Sequence, residues 1–249
     1  MKKLGTTLAV STVALAFAVS ALANGTVQSL PFAQDWTNTG LITANDDWTA
    51  VPGIIGFLGD SDPVGAVTAV DPQTLTADVA VQQDVIAQAV TTNTAGGVGE
   101  FDGLTDPVVG LQGSGTADAP YLLLNINTFG KQNIGLAYSV RDIDGTADNA
   151  TQQCCAQFRV GTSGTWTNIA GSYIADATTG PSLATLVTPI SVVLPASANN
   201  QTQIQIRILT TNAIGSDEWI GIDSIRVTGD NIPVPTSKSN WSAVKALFR

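Results

Sequence analysis

The chain has 249 residues, with 20 acidic side chains, 10 basic ones and no histidine. Without an imidazole it cannot build a Ser-His-Asp triad, a Cys-His pair or a histidine metal ligand. Only 12% of residues are charged while 44% are hydrophobic, so the chain can bury a core, and its Thr, Ser, Asn, Ala and Val content is the texture of a secreted β-protein.

Residues 1–23 read as a signal peptide. Met1, Lys2 and Lys3 form a basic start, an apolar stretch follows from Leu8 to Val19, and Ala21-Leu22-Ala23 places small residues at the two positions that a signal peptidase reads. No later stretch is apolar for long enough to span a bilayer, so the expected product is secreted, cell-surface or periplasmic. From Asn24 to Gly130 there are 12 acidic residues and no Lys or Arg, whereas Lys131 to Arg249 holds 8 of each sign. Such a surface repels a phosphate backbone, which excludes direct nucleic-acid binding and leaves a cation, a neutral glycan or a basic protein as partners.

The first elements are faint. Val27, Leu30 and Phe32 precede a polar turn, and Trp48–Leu58 and Val64–Val70 suggest short strands. Val79 to Val90 fits either a β segment or a short helix. Tyr121–Ile126 reads as a strand after the Gly/Ser/Ala-rich run from Gln112 to Pro120. The second half is clearer. Ile134, Leu136, Tyr138 and Val140 alternate, which puts them on one sheet face. Ala156, Phe158 and Val160 repeat the pattern, with Gln157 and Arg159 pointing the other way. Gly161-Thr162-Ser163-Gly164 then turns the chain into Thr165–Ile169 as a hairpin. Ile190, Val192 and Leu194 form another strand, and Ile204, Ile206 and Ile208 the next, with Gln203, Gln205 and Arg207 outside. In the last strand Ile220 and Ile222 share one phase and Ile225 and Val227 the other, so either the strand carries a bulge near Asp223-Ser224 or its two halves face different layers; both readings make the backbone irregular at Asp223. Pro233 and Pro235 end the sheet.

Short strands separated by Gly, Asn, Asp and Pro turns predict an all-β fold, an antiparallel sandwich with jelly-roll-like connections. Residues 24–232 form its single domain. Residues 233–249 are a Pro/Ser linker and a short amphipathic tail, in which Ser239 could cap a helix carrying Trp241, Val244 and Phe248 on one face.

Two segments, Phe158–Asn168 and Thr210–Ile225, together with the opening Leu30-Pro31-Phe32-Ala33-Gln34-Asp35-Trp36, resemble a bacterial secreted β-sandwich domain of unknown function. Such domains also occur as accessory modules beside extracellular nuclease or phosphoesterase domains. The resemblance implies a folded surface or accessory module and does not carry over the neighbouring domain's chemistry. The sandwich also broadly resembles carbohydrate-binding jelly rolls, where a structural calcium often joins early and late strands. That resemblance implies calcium on Asp35 and Asp223, with Asp217 or Glu218 contributing, since hard oxygen ligands suit this ion.

Cys154 and Cys155 are adjacent and are the only cysteines. Neighbouring α-carbons are about 3.8 Å apart, shorter than usual disulfide spans, so the alternatives are a strained vicinal bridge, pairing between chains or two retained thiols. Asp46-Asp47, Asp60 with Asp62, and Asp142 with Asp144 could act as acid and base only if the fold converges them. The expected function is a noncatalytic extracellular binding or adhesion module for a glycan or cell-surface component, with Trp48, Tyr121, Trp166, Tyr173 and Trp219 as aromatic anchors. The alternatives are a structural envelope or matrix protein, in contact with an envelope component, and a secreted hydrolase that uses paired carboxylates.

Overall fold

The structure is a computed structural model, and it describes residues 25–60, 68–79, 81–87, 96–143, 150–179 and 186–233. The signal-peptide and C-terminal tail readings, the Val64 to Val67 part of one expected strand, and Asp62 and Asp144 lie outside the described residues.

Among those residues the chain forms twelve strands and two short 3-10 turns, and no helix long and apolar enough to cross a membrane. One six-stranded sheet contains β1 (Gln28–Ser29), β3 (Ile54–Phe57), β6 (Tyr121–Asn127), β8 (Cys154–Val160), β9 (Thr167–Asn168) and β11 (Ile204–Thr210). Its order is β1-β6-β11-β8-β9, with β3 also on β6. The second sheet contains β2 (Phe32–Gln34), β4 (Gly97–Phe101), β5 (Val108–Gln112), β7 (Lys131–Asp142), β10 (Val187–Val193) and β12 (Ile220–Asn231). Its order is β10-β7-β12-β5-β4, and β2 pairs β12. Every strand pair is antiparallel except β1 with β6. From β6 to β12 the long strands alternate between the two sheets, which is the jelly-roll-like connectivity expected of the sequence.

Period-two patterning explains the core. Leu122, Leu124 and Ile126 on β6 and Ile204, Ile206 and Ile208 on β11 are buried from one side. Ile134, Leu136, Tyr138 and Val140 on β7 and Ile220, Ile222, Ile225 and Val227 on β12 are buried from the other. The phase change in β12 is a bulge: Asp223 pairs Ser139, yet Arg226 pairs Ala137, so β12 uses one more residue than β7 over this span. Ser224 absorbs the extra residue at φ 52°.

Two strands carry no readable alternation. In β4 and β5 glycines face aromatic rings of their own sheet: a Cβ on Gly110 would stand 2.7 Å from the Phe101 ring and one on Gly99 3.1 Å from Trp219. Phe101 and Trp219 meet edge to face there, with centroids 5.1 Å apart. The stretch read as strand or helix from Val79 onward makes only isolated bridges within its described part, Phe57 with Gln83 and Ile86 with Gly99.

The outward phase of β8 and β11 is as expected, but its exposure is not. Gln157, Gln205 and Arg207 lie on the outer face of the first sheet, but they are buried. A segment far away in sequence crosses over Gln157 and Arg207.

Candidate ligand-binding site

The covering segment starts at a 3-10 turn, Pro72–Thr74. Asp71 caps this turn, its Oδ1 accepting the Gln73 N–H at 2.8 Å, while Pro72 supplies the fixed φ that a first helical position favours. The chain then continues to Val79 as a strap without strand partners of its own. Its carbonyls are instead met by side chains rising from the sheet. Gln157 donates to Pro72 O at 3.4 Å and Asn168 to Gln73 O at 2.9 Å. Arg207 donates to the Leu75 carbonyl and, at 3.3 Å, to that of Ala77. One backbone donor joins these side chains, the Trp166 main-chain N–H reaching Thr76 O at 2.9 Å.

Arg207 is the anchor of this arrangement. It is fully buried, its Nε donates to Gln157 Oε1 at 2.7 Å, and its guanidinium lies 4.4 Å from the centroid of Trp166 and 5.8 Å from that of Tyr121. Burial pulls its pKa down to about 10, which still leaves it charged at neutral pH. Carbonyl oxygens and aromatic faces thus compensate the cation. The same burial pushes the Tyr121 hydroxyl up to about 12.

Beyond Arg207 the strap and the β8–β9 hairpin part to form an open recess of about 330 Å³ lined by Thr76, Ala77, Asp78, Gly164 and Thr165. Asp78 is its only charged lining residue, and its side chain is 51% exposed. Its Oδ1 accepts from Arg159 Nη1 at 2.6 Å and from Trp166 Nε1 at 2.9 Å. Arg159 lies 4.2 Å from the Trp166 centroid, and its Nε donates to Gln205 Oε1 at 2.9 Å. The recess is therefore charge-balanced, lined with two threonines, and backed by side chains fixed from behind. Such an arrangement suits hydroxyl groups better than a free ion.

The aromatic residues singled out from sequence are used differently. Trp48, Tyr121, Trp166 and Trp219 are buried, and Trp48 and Trp166 spend their indole N–H groups on Asp84 O and Asp78. Tyr173 alone of the five reaches solvent, at 38% exposure, with its hydroxyl donating to Gln153 Oε1 at 2.7 Å. Cys154 and Cys155 are buried free thiols. They point to opposite faces of β8: burial and the neighbouring Cys155 hold the Cys154 thiol well above its ordinary pKa in the inter-sheet core, and burial pushes Cys155, on the strap side, up to about 12.

The four carboxylates expected to share calcium sit in three settings. Asp35 is at the junction of β2 and β12, where Thr37 donates to its Oδ1 from both backbone and hydroxyl and holds its pKa down. Asp223 lies in mid-strand, 3.2 Å from Arg141 Nη1 and accepting the Ser224 N–H. Asp217 and Glu218 precede β12 at its loop end; Asp217 Oδ1 accepts the Ala213 N–H at 2.6 Å, and Glu218 is fully buried. Burial raises the pKa of both Asp217 and Asp223. Among the described residues no group of three or more carboxylates or cysteines is placed to hold a metal ion. Of the paired aspartates, Asp46 accepts the Val85 N–H at 3.1 Å, Asp47 accepts from Thr49 at 2.9 and 2.6 Å, and Asp142 is buried at the end of β7.

The sequence reading missed Asp78, Thr76 and Thr165 as site residues. A signal existed in Arg159 and Arg207, two of the few basic residues, standing on the outward phase of adjacent strands. Charges in such positions call for a covering partner.

No protein-family model and no curated protein matches the chain. Among solved structures it is similar to a cleaved adhesin domain of Lys-gingipain from Porphyromonas gingivalis, at 14% identity and TM-score 0.42, over 80% of this chain and 98% of that one. It is also similar to a xylan-binding domain from Paenibacillus barcinonensis, at 9% identity and TM-score 0.38, over 57% of this chain and 85% of that one. A further similarity is to a mannan-recognising carbohydrate-binding module, at 12% identity and TM-score 0.36, over 57% and 87% of the two chains.

Proposed function

We propose that this protein is a noncatalytic extracellular binding or adhesion module that takes a neutral glycan in the recess between the strap and the β8–β9 hairpin. The observation that carries the reading is the pinning of Asp78: both its hydrogen bonds enter on Oδ1, from Arg159 and Trp166, while half of the side chain remains exposed beside Thr76 and Thr165. A fixed acceptor beside hydroxyls is preorganised for a polyol and loses little entropy on binding. The signal-like segment from Met1 to Ala23 supports export, and the acidic composition argues for an uncharged or cationic ligand over an anionic one.

The test is a polysaccharide array probed with the mature protein and with Ala77→Trp. Ala77 is exposed and contributes its carbonyl, not its methyl, to the strap's anchorage, so the substitution fills the recess without touching the core. Binding of at least one neutral polysaccharide, lost in Ala77→Trp, is the expected result. Absence of binding by the folded wild type refutes the reading.

A further inference from the structure

Phe129 is 67% exposed in the connection that leads from β6 in the first sheet to β7 in the second, and its loop is held firmly. The Phe129 N–H donates to Asn127 Oδ1 at 2.8 Å and the Gly130 N–H to Asn200 Oδ1 at 2.9 Å. Thr128 donates its hydroxyl to Ala198 O at 2.6 Å and its N–H to Gln201 O at 2.8 Å. Ile232 N–H closes the set on Gly130 O at 3.0 Å, and Gly130 itself needs the positive φ of 73°. A large apolar ring is thus presented to water on a rigid support, and carboxamide residues are bonded into its loop: Asn127 and Asn200 through their side chains, Gln201 through its carbonyl and Asn231 through Lys131. Lys131, two residues further on, donates to Asn231 Oδ1 at 2.7 Å.

This loop lies at the same end of the sandwich as the recess. Both hang on one stretch of chain, since Thr128 N–H donates to Gln201 O and Gly161 N–H to Gln203 O, at 2.8 and 3.0 Å. The two are two to three strand positions apart in the order β6-β11-β8-β9, which is about 10–15 Å. Between them runs a chain of hydrogen bonds across three strands, from Arg159 to Gln205 and from Gln205 and Gln203 to Asn125, which fixes their relative position.

We infer that Phe129 is a second contact point for the same ligand, stacking on the apolar face of a sugar ring several units away from the one in the recess, so that the protein recognises an extended neutral polysaccharide and not a mono- or disaccharide. The inference rests on the glycan-binding reading of the recess. An aromatic face on a loop that holds carboxamide residues matches a pyranose ring, which carries apolar C–H faces and a hydroxyl rim. A second copy of the chain is a poorer occupant, because each copy carries a formal charge of -10.

The experiment titrates xylo-, manno- and β-1,4-galacto-oligosaccharides, from disaccharide to hexasaccharide, against wild type, Phe129→Ala and Ala77→Trp. Phe129→Ala removes no buried contact, and circular dichroism checks that it stays folded. Affinity in the wild type should rise with length, and Phe129→Ala should lose roughly tenfold for the hexasaccharide with little change for the disaccharide. Phe129→Trp should restore the affinity and become shielded from acrylamide quenching by the long oligosaccharide. Equal hexasaccharide affinity in Phe129→Ala and wild type, while Ala77→Trp abolishes binding, overturns the inference and leaves the recess intact. No binding by the wild type overturns both. A concentration-dependent dimer in sedimentation that Phe129→Ala disperses assigns the ring to self-association and also overturns it.

Discussion

Asp84 offers the sharpest energetic prediction. It is half-buried where the chain passes behind Gly97, its Oδ2 accepts the Val98 N–H at 2.6 Å, and its own carbonyl accepts the indole N–H of Trp48 at 3.1 Å. Burial raises its pKa from 3.8 to about 6, the Val98 bond opposes that shift, and nearby Asp46 adds to it. Between about pH 4 and about pH 6 the native state therefore holds a proton that the unfolded chain has released, so the contribution of Asp84 to stability is present at low pH and is lost as pH rises through about 6. A shift of about two units corresponds to about 3 kcal/mol, and solvent screening at a partly open site reduces this to about 1–2 kcal/mol. Asp84→Asn keeps an oxygen for Val98 and removes the charge. Urea denaturation across this pH range should give a wild-type-minus-variant difference that is small near pH 4 and grows to about 1–2 kcal/mol in favour of the variant by pH 7. A difference that does not change with pH refutes the reasoning.

Other substitutions test the strap and the core. Arg207→Met leaves the Leu75 and Ala77 carbonyls and Gln157 without their buried donor. It should cost about 2–4 kcal/mol in denaturation and open the strap to limited proteolysis between Asp71 and Val79, whereas unchanged protection there contradicts the anchoring role. Among the described residues the buried Tyr138 hydroxyl has no hydrogen-bond partner, so Tyr138→Phe should leave the melting temperature unchanged or raise it, by up to about 1 kcal/mol in stability; a clear loss contradicts the assignment. Both cysteines are buried thiols with raised pKa values, so Ellman's reagent should find no reactive thiol in the native protein and two in denaturant without reductant. Two thiols missing after denaturation would point to a disulfide.

The sandwich was legible because its second half writes the pleat directly into the side chains, as in Ile134 to Val140 and Ile204 to Ile208. The slip of hydrophobic phase in β12 was legible too, but it left a bulge and two halves facing different layers as alternatives, and the register between Asp223 and Arg226 decides for the bulge. Asp223 was correctly placed at that irregularity, but its partner Arg141 belongs to another strand and no spacing announced it. The glycine-rich strands β4 and β5 were hidden because their packing units are absent side chains facing Phe101 and Trp219. The strap was hidden for a related reason. Its contacts run through backbone carbonyls, which every residue has, so Asp71 to Val79 shows no period while it covers Arg207 and Gln157. Their outward phase was read correctly, and their burial was set by a segment more than seventy residues earlier in the chain.

The central claim, that the recess beside Asp78 is where ligand binds, is tested most directly by amide chemical-shift mapping of the mature protein during titration with soluble xylan, mannan and β-1,4-galactan oligosaccharides. The account predicts that one series shifts the amides of Thr76, Ala77, Asp78, Gly164 and Thr165 along a single saturating curve. Saturable shifts confined to other surfaces, or none from any neutral glycan while the spectrum remains that of a folded protein, would contradict it.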